Sequence, residues 1–208
     1  MFSPYLPPLP PLPGEREKYE YRPGGRSIIS VLTDEHLQLE ALSSELLKAE
    51  QSRRELADVV TAAVSRHLSA EEQYLYPAVR ALVPDGDNLV DDEIDHDTTL
   101  LRQLAVLEEA APDSPSYHDL AEAVDAEILR HGSTCASRIF PQLSRVASEA
   151  DLIRLGNRLE IAEEAAPTRP HPDMPNRPPW NKIAAPAVGA VDKIRDSVEG
   201  RKTYREDL

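Results

Sequence analysis

One cysteine, two methionines, few aromatic residues and only eight glycines leave this sequence little with which to staple or bend a fold. Cys135 alone excludes an intrachain disulfide and fits a reducing compartment. The glycines are scattered, with no GxGxxG or P-loop arrangement, so phosphate-cradling loops are absent. Basic residues are outnumbered, 23 Lys and Arg against 37 Asp and Glu, for a net charge of −14. That balance argues against a nucleic-acid backbone and against an anionic membrane surface as partners. No apolar run approaches the roughly 20 residues that span a bilayer. The opening "MFSPYLPPLPPLPGEREKYEY" has neither a basic n-region nor a continuous apolar h-region. A soluble, cytoplasmic chain is therefore expected.

Proline, by contrast, is plentiful: 19 residues, crowded into the first 23 positions and again between Pro167 and Pro186. Three parts follow from this composition. Residues 1–26 read as a Pro-rich disordered arm whose PxxP spacings would suit an aromatic-lined groove. Residues 27–165 read as the folded domain. Residues 166–208 read as a second Pro-rich, poorly folding tail, in which Val188, Val191, Ile194 and Val198 are spaced for a short amphipathic helix that can dock on the bundle or stay exposed, weak docking being favoured.

Within the domain, apolar residues recur at three-and-four spacing in four long segments. The first runs from about residue 27 to 49 with Ile29, Leu32, His36, Leu39 and Leu46 on one face. A second, about 53 to 83, aligns Val60, Val64, His67, Glu71 and Tyr74, with Pro77 expected to bend or briefly break it. The third, about 89 to 110, groups His96, Leu100, Leu104 and Leu107. The fourth, about 117 to 147, stacks Leu120, Val124, His131 and Cys135. A fifth helix, about 149 to 164, is shorter. Short polar loops and no strand-like alternation give an all-α fold: an up-down-up-down four-helix bundle with an extra short C-terminal helix and Pro-rich disordered tails.

Each of the four long segments carries a histidine near the middle of its buried stripe: His36, His67, His96 and His131. In an antiparallel bundle they are expected to converge at similar depth. Four separate burials of imidazole, each losing its hydration, are better explained by something in the core that binds them together. His67 and Glu71, one turn apart, point the same way and can hold one metal ion or bridge two. Imidazoles with a carboxylate select iron, manganese or zinc. Tyr74 and Tyr76 are expected in the core or beside the site, and Tyr74, one turn from Glu71, is placed to hydrogen-bond it. Glu72 is expected on a solvated face, and His118 and His171 at the surface.

These residues resemble the hemerythrin-like, or HHE cation-binding, domain, whose pattern is H, HxxxE, H and HxxxE on successive helices. The resemblance runs through "TDEHLQLEAL" with His36, "RHLSAEEQYLYP" with His67 and Glu71, "DEIDHDTTLLRQL" with His96, and "RHGSTCASRIFP" with His131. The continuation "LIRLGNRLEIAEEAAPTRPHP" with "PPWNK" is similar to actinobacterial members. It implies a non-heme iron site, of two ions in the family pattern, with exogenous dioxygen, peroxide or nitric oxide as the small ligand.

One departure stands out. Aligning His67 with His131 puts Cys135 where the second HxxxE glutamate belongs. Three outcomes stay open: Cys135 ligates as thiolate, a nearby carboxylate such as Glu127 or Glu93 substitutes, or the site holds one ion or none. Two functions therefore compete, an iron-binding protein at a mono- or di-iron site and a helical scaffold with a degenerate site.

Overall fold

The computed structural model describes residues 23–208, so the "PYLPPLPPLPG" arm and its PxxP spacings lie outside the described residues. Helix α1 spans Ile28–Lys48, α2 Arg53–Leu82 and α3 Gly86–Glu109; α4, Tyr117–Thr134, runs through a π-helical turn, Cys135–Ile139, into α5, Phe140–Val146. Helix α6 covers Glu149–Ala165, α7 covers Trp180–Glu199, and a 3₁₀ turn, Arg205–Asp207, follows. Ser27 starts α1 by accepting a hydrogen bond from the Ser30 backbone at 3.2 Å, and Ser148 starts α6 in the same way from Asp151. Pro77 sits inside α2 without breaking it.

Helices α1, α2, α3 and α4 pack as a ring, each against its two neighbours, which with their short connections is the up-down-up-down bundle. Helix α6 lies across α1 and α2, and α7 across α2 and α6. The core divides in two. One apolar half holds Leu39, Leu46, Val60, Leu100, Leu104 and Val124; the other holds Leu32, Leu75, Val79, Ile94, Ile139 and Leu143. On every helix of the ring the polar residues described below fall between these halves, so the core is two apolar slabs separated by a buried polar layer.

The C-terminal part corrects its expectation of disorder. Ala166, Pro167, Thr168 and Arg169 are buried, and α7 is a helix of 20 residues. Polar anchoring compensates for the proline content. Asp192 accepts hydrogen bonds from the backbone N–H of Thr168 and of Arg169, at 3.2 and 3.1 Å, and Asp196 accepts from Arg169 Nε at 3.0 Å. Arg201 reaches the Thr168 carbonyl at 2.9 Å. Gly189 lies against the Ala165 and Ala166 carbonyls, where any Cβ would collide. Val191, Ile194 and Val198, expected to make the docking face, point outward instead.

A candidate metal centre in the polar layer

His36 on α1, His67 and Glu71 on α2, and His131 on α4 are all buried and meet in the middle of the bundle. His67 Nε2 lies 3.0 Å from His36 Nε2 and 3.3 Å from His131 Nε2. Glu71 faces all three rings: Oε2 is 3.1 Å from His131 Nε2, and Oε1 is 3.6 Å from His67 Nε2 and 3.7 Å from His36 Nε2. Backbone geometry sets this up. His67 and Glu71 stack one turn apart on α2. Gly132 on α4 faces α1, where a Cβ would stand 3.2 Å from Glu40 Oε1 and 3.4 Å from His36 Cβ. Phe140 stacks on the His36 ring with centroids 5.8 Å apart.

The donor set fits a metal ion. Ligand atoms held at roughly 2.0–2.2 Å from one ion lie about 3.0–3.5 Å from each other, which is the spacing these nitrogens and the nearer carboxylate oxygen already have. Hydrogen bonding among themselves does not satisfy them. Glu71 Oε1 is buried without a hydrogen-bond partner, the kind of orphan that a cation resolves.

One ring is hydrogen-bonded from behind, and a second faces a carboxylate there as an ion pair without a hydrogen bond. His67 Nδ1 is hydrogen-bonded to Glu35 Oε2 at 2.9 Å, and His131 Nδ1 stands 3.1 Å from Asp97 Oδ1. A carboxylate on the far ring nitrogen fixes orientation and turns Nε2 toward the centre. Tyr76 Oη donates to Asp97 Oδ2 and lies 3.2 Å from Glu71 Oε2, closing a loop of buried polar contacts from Glu71 through Tyr76 and Asp97 to His131.

Burial pushes His36 down to about 4, and it also holds His67 below the usual histidine range. Glu71 is affected oppositely: burial alone would raise it, but His131 and His67 hold it well below the usual carboxylate range. For His131, burial opposes the charged form, yet the acids facing it, Glu71 and Asp97, drive it well above the usual value. Burial and the Glu71 charge push the Cys135 thiol up to about 12, so near neutral pH it is an uncharged thiol, and Glu71 with Asp97 supply the charge that holds the His131 proton. Binding an ion here displaces that proton.

The remaining sequence expectations fare differently. His96 is 49% exposed, with Nδ1 3.5 Å from Glu127 Oε2, and does not join the cluster. The buried face of α3 runs through Val90, Glu93, Asp97, Leu100 and Leu104, and His96 sits about 100° around from Asp97. Cys135 is fully buried, but its Sγ lies 4.0 Å from His131 Nε2, outside the converging donors. Glu127 is occupied by Arg130 at 2.9 Å, and Glu93 by the same guanidinium at 3.0 Å. Tyr76, not Tyr74, contacts the site; Tyr74 lies under the Lys182 ammonium. Glu72 is half-buried rather than solvated, and burial together with Asp97 and Glu71 pushes it up to about 8. His118 is at the surface beside Glu122, whereas His171 is tied to Asp192 at 2.9 Å.

Residues 27–143 match the profile of the Hemerythrin HHE cation binding domain. The chain belongs to this hemerythrin family. An uncharacterized hemerythrin-like protein of Schizosaccharomyces pombe (strain 972 / ATCC 24843) is 20% identical over 137 residues, covering 65% of this chain and 68% of the relative. No solved structure matches. The matched segment of this hemerythrin-like chain contains the whole polar layer except Glu163, which α6 brings to Glu35 and His67. Asp97 and Glu35 are the site residues that spacing did not reveal, whereas Tyr76 was expected in the core or beside the site. Glu35 lies one residue before the buried His36, and Asp97 one residue after His96, which itself faces outward.

Proposed function

We infer that this hemerythrin-like protein binds one non-heme iron ion through His36, His67, Glu71 and His131, and binds or senses dioxygen, peroxide or nitric oxide there. The convergence of three Nε2 atoms on a buried, unpartnered Glu71 oxygen carries this reading. Neutral imidazoles and one carboxylate suit middle-row divalent metals, and four protein donors leave coordination positions open. When bound, the iron supplies a redox couple and a seat for the exogenous ligand.

The chain's own residues do the rest. Glu71 neutralises charge, Glu35 and Asp97 hold His67 and His131 in orientation, and the apolar slabs above and below keep bulk water out. A cleft of about 150 Å³ lined by Glu35, Leu39, Leu42, Arg66, His67 and Glu163 opens beside His67, which supports entry of a diatomic-sized molecule. Nuclearity of one is supported by Glu93 and Glu127 being engaged with Arg130 and by the neutral Cys135 thiol.

The scaffold reading draws on the same absence of a second glutamate at position 135. One experiment separates the two. Protein purified anaerobically from iron-supplemented cells is assayed for metal per chain and for a change in visible spectrum on adding nitric oxide. About one iron per chain with a new absorption band is expected; a metal-free chain would move the conclusion to the scaffold.

A further inference from the structure

Helix α7 is amphipathic in reverse. Its inward residues are Asn181, Ala185, Gly189, Asp192 and Asp196, three of them polar and hydrogen-bonded to the body of the protein. Outward it presents Trp180, Ile183, Val191, Ile194 and Val198, each between 64% and 83% exposed, with Ala187 and Ala190 also exposed between them. At 100° per residue these seven side chains fall within one arc of about 100° that contains no charged residue. A helix fixed through polar contacts does not need such a face for its own docking, and an apolar stripe of this extent on a soluble protein marks an interaction surface.

We propose that this stripe is a self-association surface that pairs two copies of the chain through antiparallel α7 helices. The spacing of Trp180, Ile183, Ala187, Ala190 and Ile194 alternates three and four, the seam that lets two helices interlock side chains. The stripe complements itself. With Ala187 and Ala190 at the two-fold axis, where small residues let the helices approach, Ile183 meets Ile194 of the partner subunit and Trp180 falls within one residue of Val198 of the partner subunit. The exposed area of the arc sets an upper limit of roughly 600–800 Å² per copy, at the lower end of a standard stable interface. Trp180 is the anchor type that dominates such surfaces.

The single tryptophan makes the test direct. Full-length protein is examined by sedimentation over a range of concentrations, with Trp180 emission followed in parallel, for wild type, Ile194→Glu, and a Leu9→Asp, Leu12→Asp double variant. The wild type is expected at about twice 23.1 kDa, with emission shifting to the red on dilution. Ile194→Glu is expected to be monomeric, with red emission and unchanged helix content and bound metal. A wild type that stays monomeric throughout would overturn the proposal, as would a dimer indifferent to Ile194→Glu. A monomer whose blue emission turns red only in the Leu9, Leu12 variant would assign the stripe to the N-terminal arm and overturn it equally.

Discussion

Asp97 Oδ1 stands 3.1 Å from His131 Nδ1 while its second oxygen accepts a hydrogen bond from Tyr76 Oη. This places on α3 a group that reaches the site only through another ligand. The helix that was expected to contribute an imidazole instead contributes the carboxylate that orients one.

Asp97→Asn is therefore expected to weaken metal binding by about 10- to 100-fold without removing a ligand. Competition against a colorimetric chelator measures it. Tyr76→Phe is expected to lower both affinity and fold stability, the latter by about 1–3 kcal/mol, because it leaves the Asp97 and Glu71 oxygens short of a buried donor. An Asp97→Asn protein with wild-type affinity would show that the contact does not hold His131.

His96→Leu tests the proposed ligand set, from which His96 is left out. The side chain is exposed and meets only Glu127, so metal per chain is expected unchanged and stability within about 0.5 kcal/mol of wild type. His36→Leu removes one of the converging nitrogens and is expected to abolish stoichiometric binding. Metal analysis and thermal melts of the two variants side by side check this; equal loss in both would return His96 to the site.

How far the sequence reveals this arrangement depends on the phase of each stripe. On α1, α2 and α4 the histidine falls at the centre of its apolar arc, and His36, His67 and His131 are found there. On α3 the residues Leu100, Leu104 and Leu107 are compatible with either His96 or Asp97 facing inward, and the helix turns Asp97 inward and His96 out. Apolar periodicity gives no signal for a buried acid. The same limit applies to α7: periodicity located its apolar face, but the assumption that an apolar face points inward fails where Asp192 and Asp196 anchor the helix by hydrogen bonds.

Cys135→Ser is expected to leave metal content and spectrum intact. The thiol is uncharged near neutral pH and 4.0 Å from the nearest ligand nitrogen, so it packs in the apolar slab with Ile139 and Leu143 rather than donating to an ion. A thiolate ligand would instead give an intense sulfur-to-metal band that the serine variant lacks. Absorption of iron-loaded wild type and variant decides between them.

Glu163 and Glu35 form a pair of half-buried acids beside His67, with Glu163 pushed up to about 8 and Glu35 to about 7, burial being the main cause in both. Since the unfolded acid titrates near 4.5, the folded state binds protons more tightly between that pH and 7–8, so stability is full below pH 4.5 and is lost as pH rises through the folded values. Replacing Glu163 by Gln keeps a hydrogen-bonding group of the same shape and removes the ionisation. Metal-free Glu163→Gln is thus expected to match wild type near pH 5 and to exceed it by on the order of 2 kcal/mol near pH 8.5. Urea unfolding of both proteins in chelator at the two pH values measures the difference. A constant offset between the proteins at both values would mean that Glu163 acts through packing, and that the cleft beside His67 carries no proton taken up on folding.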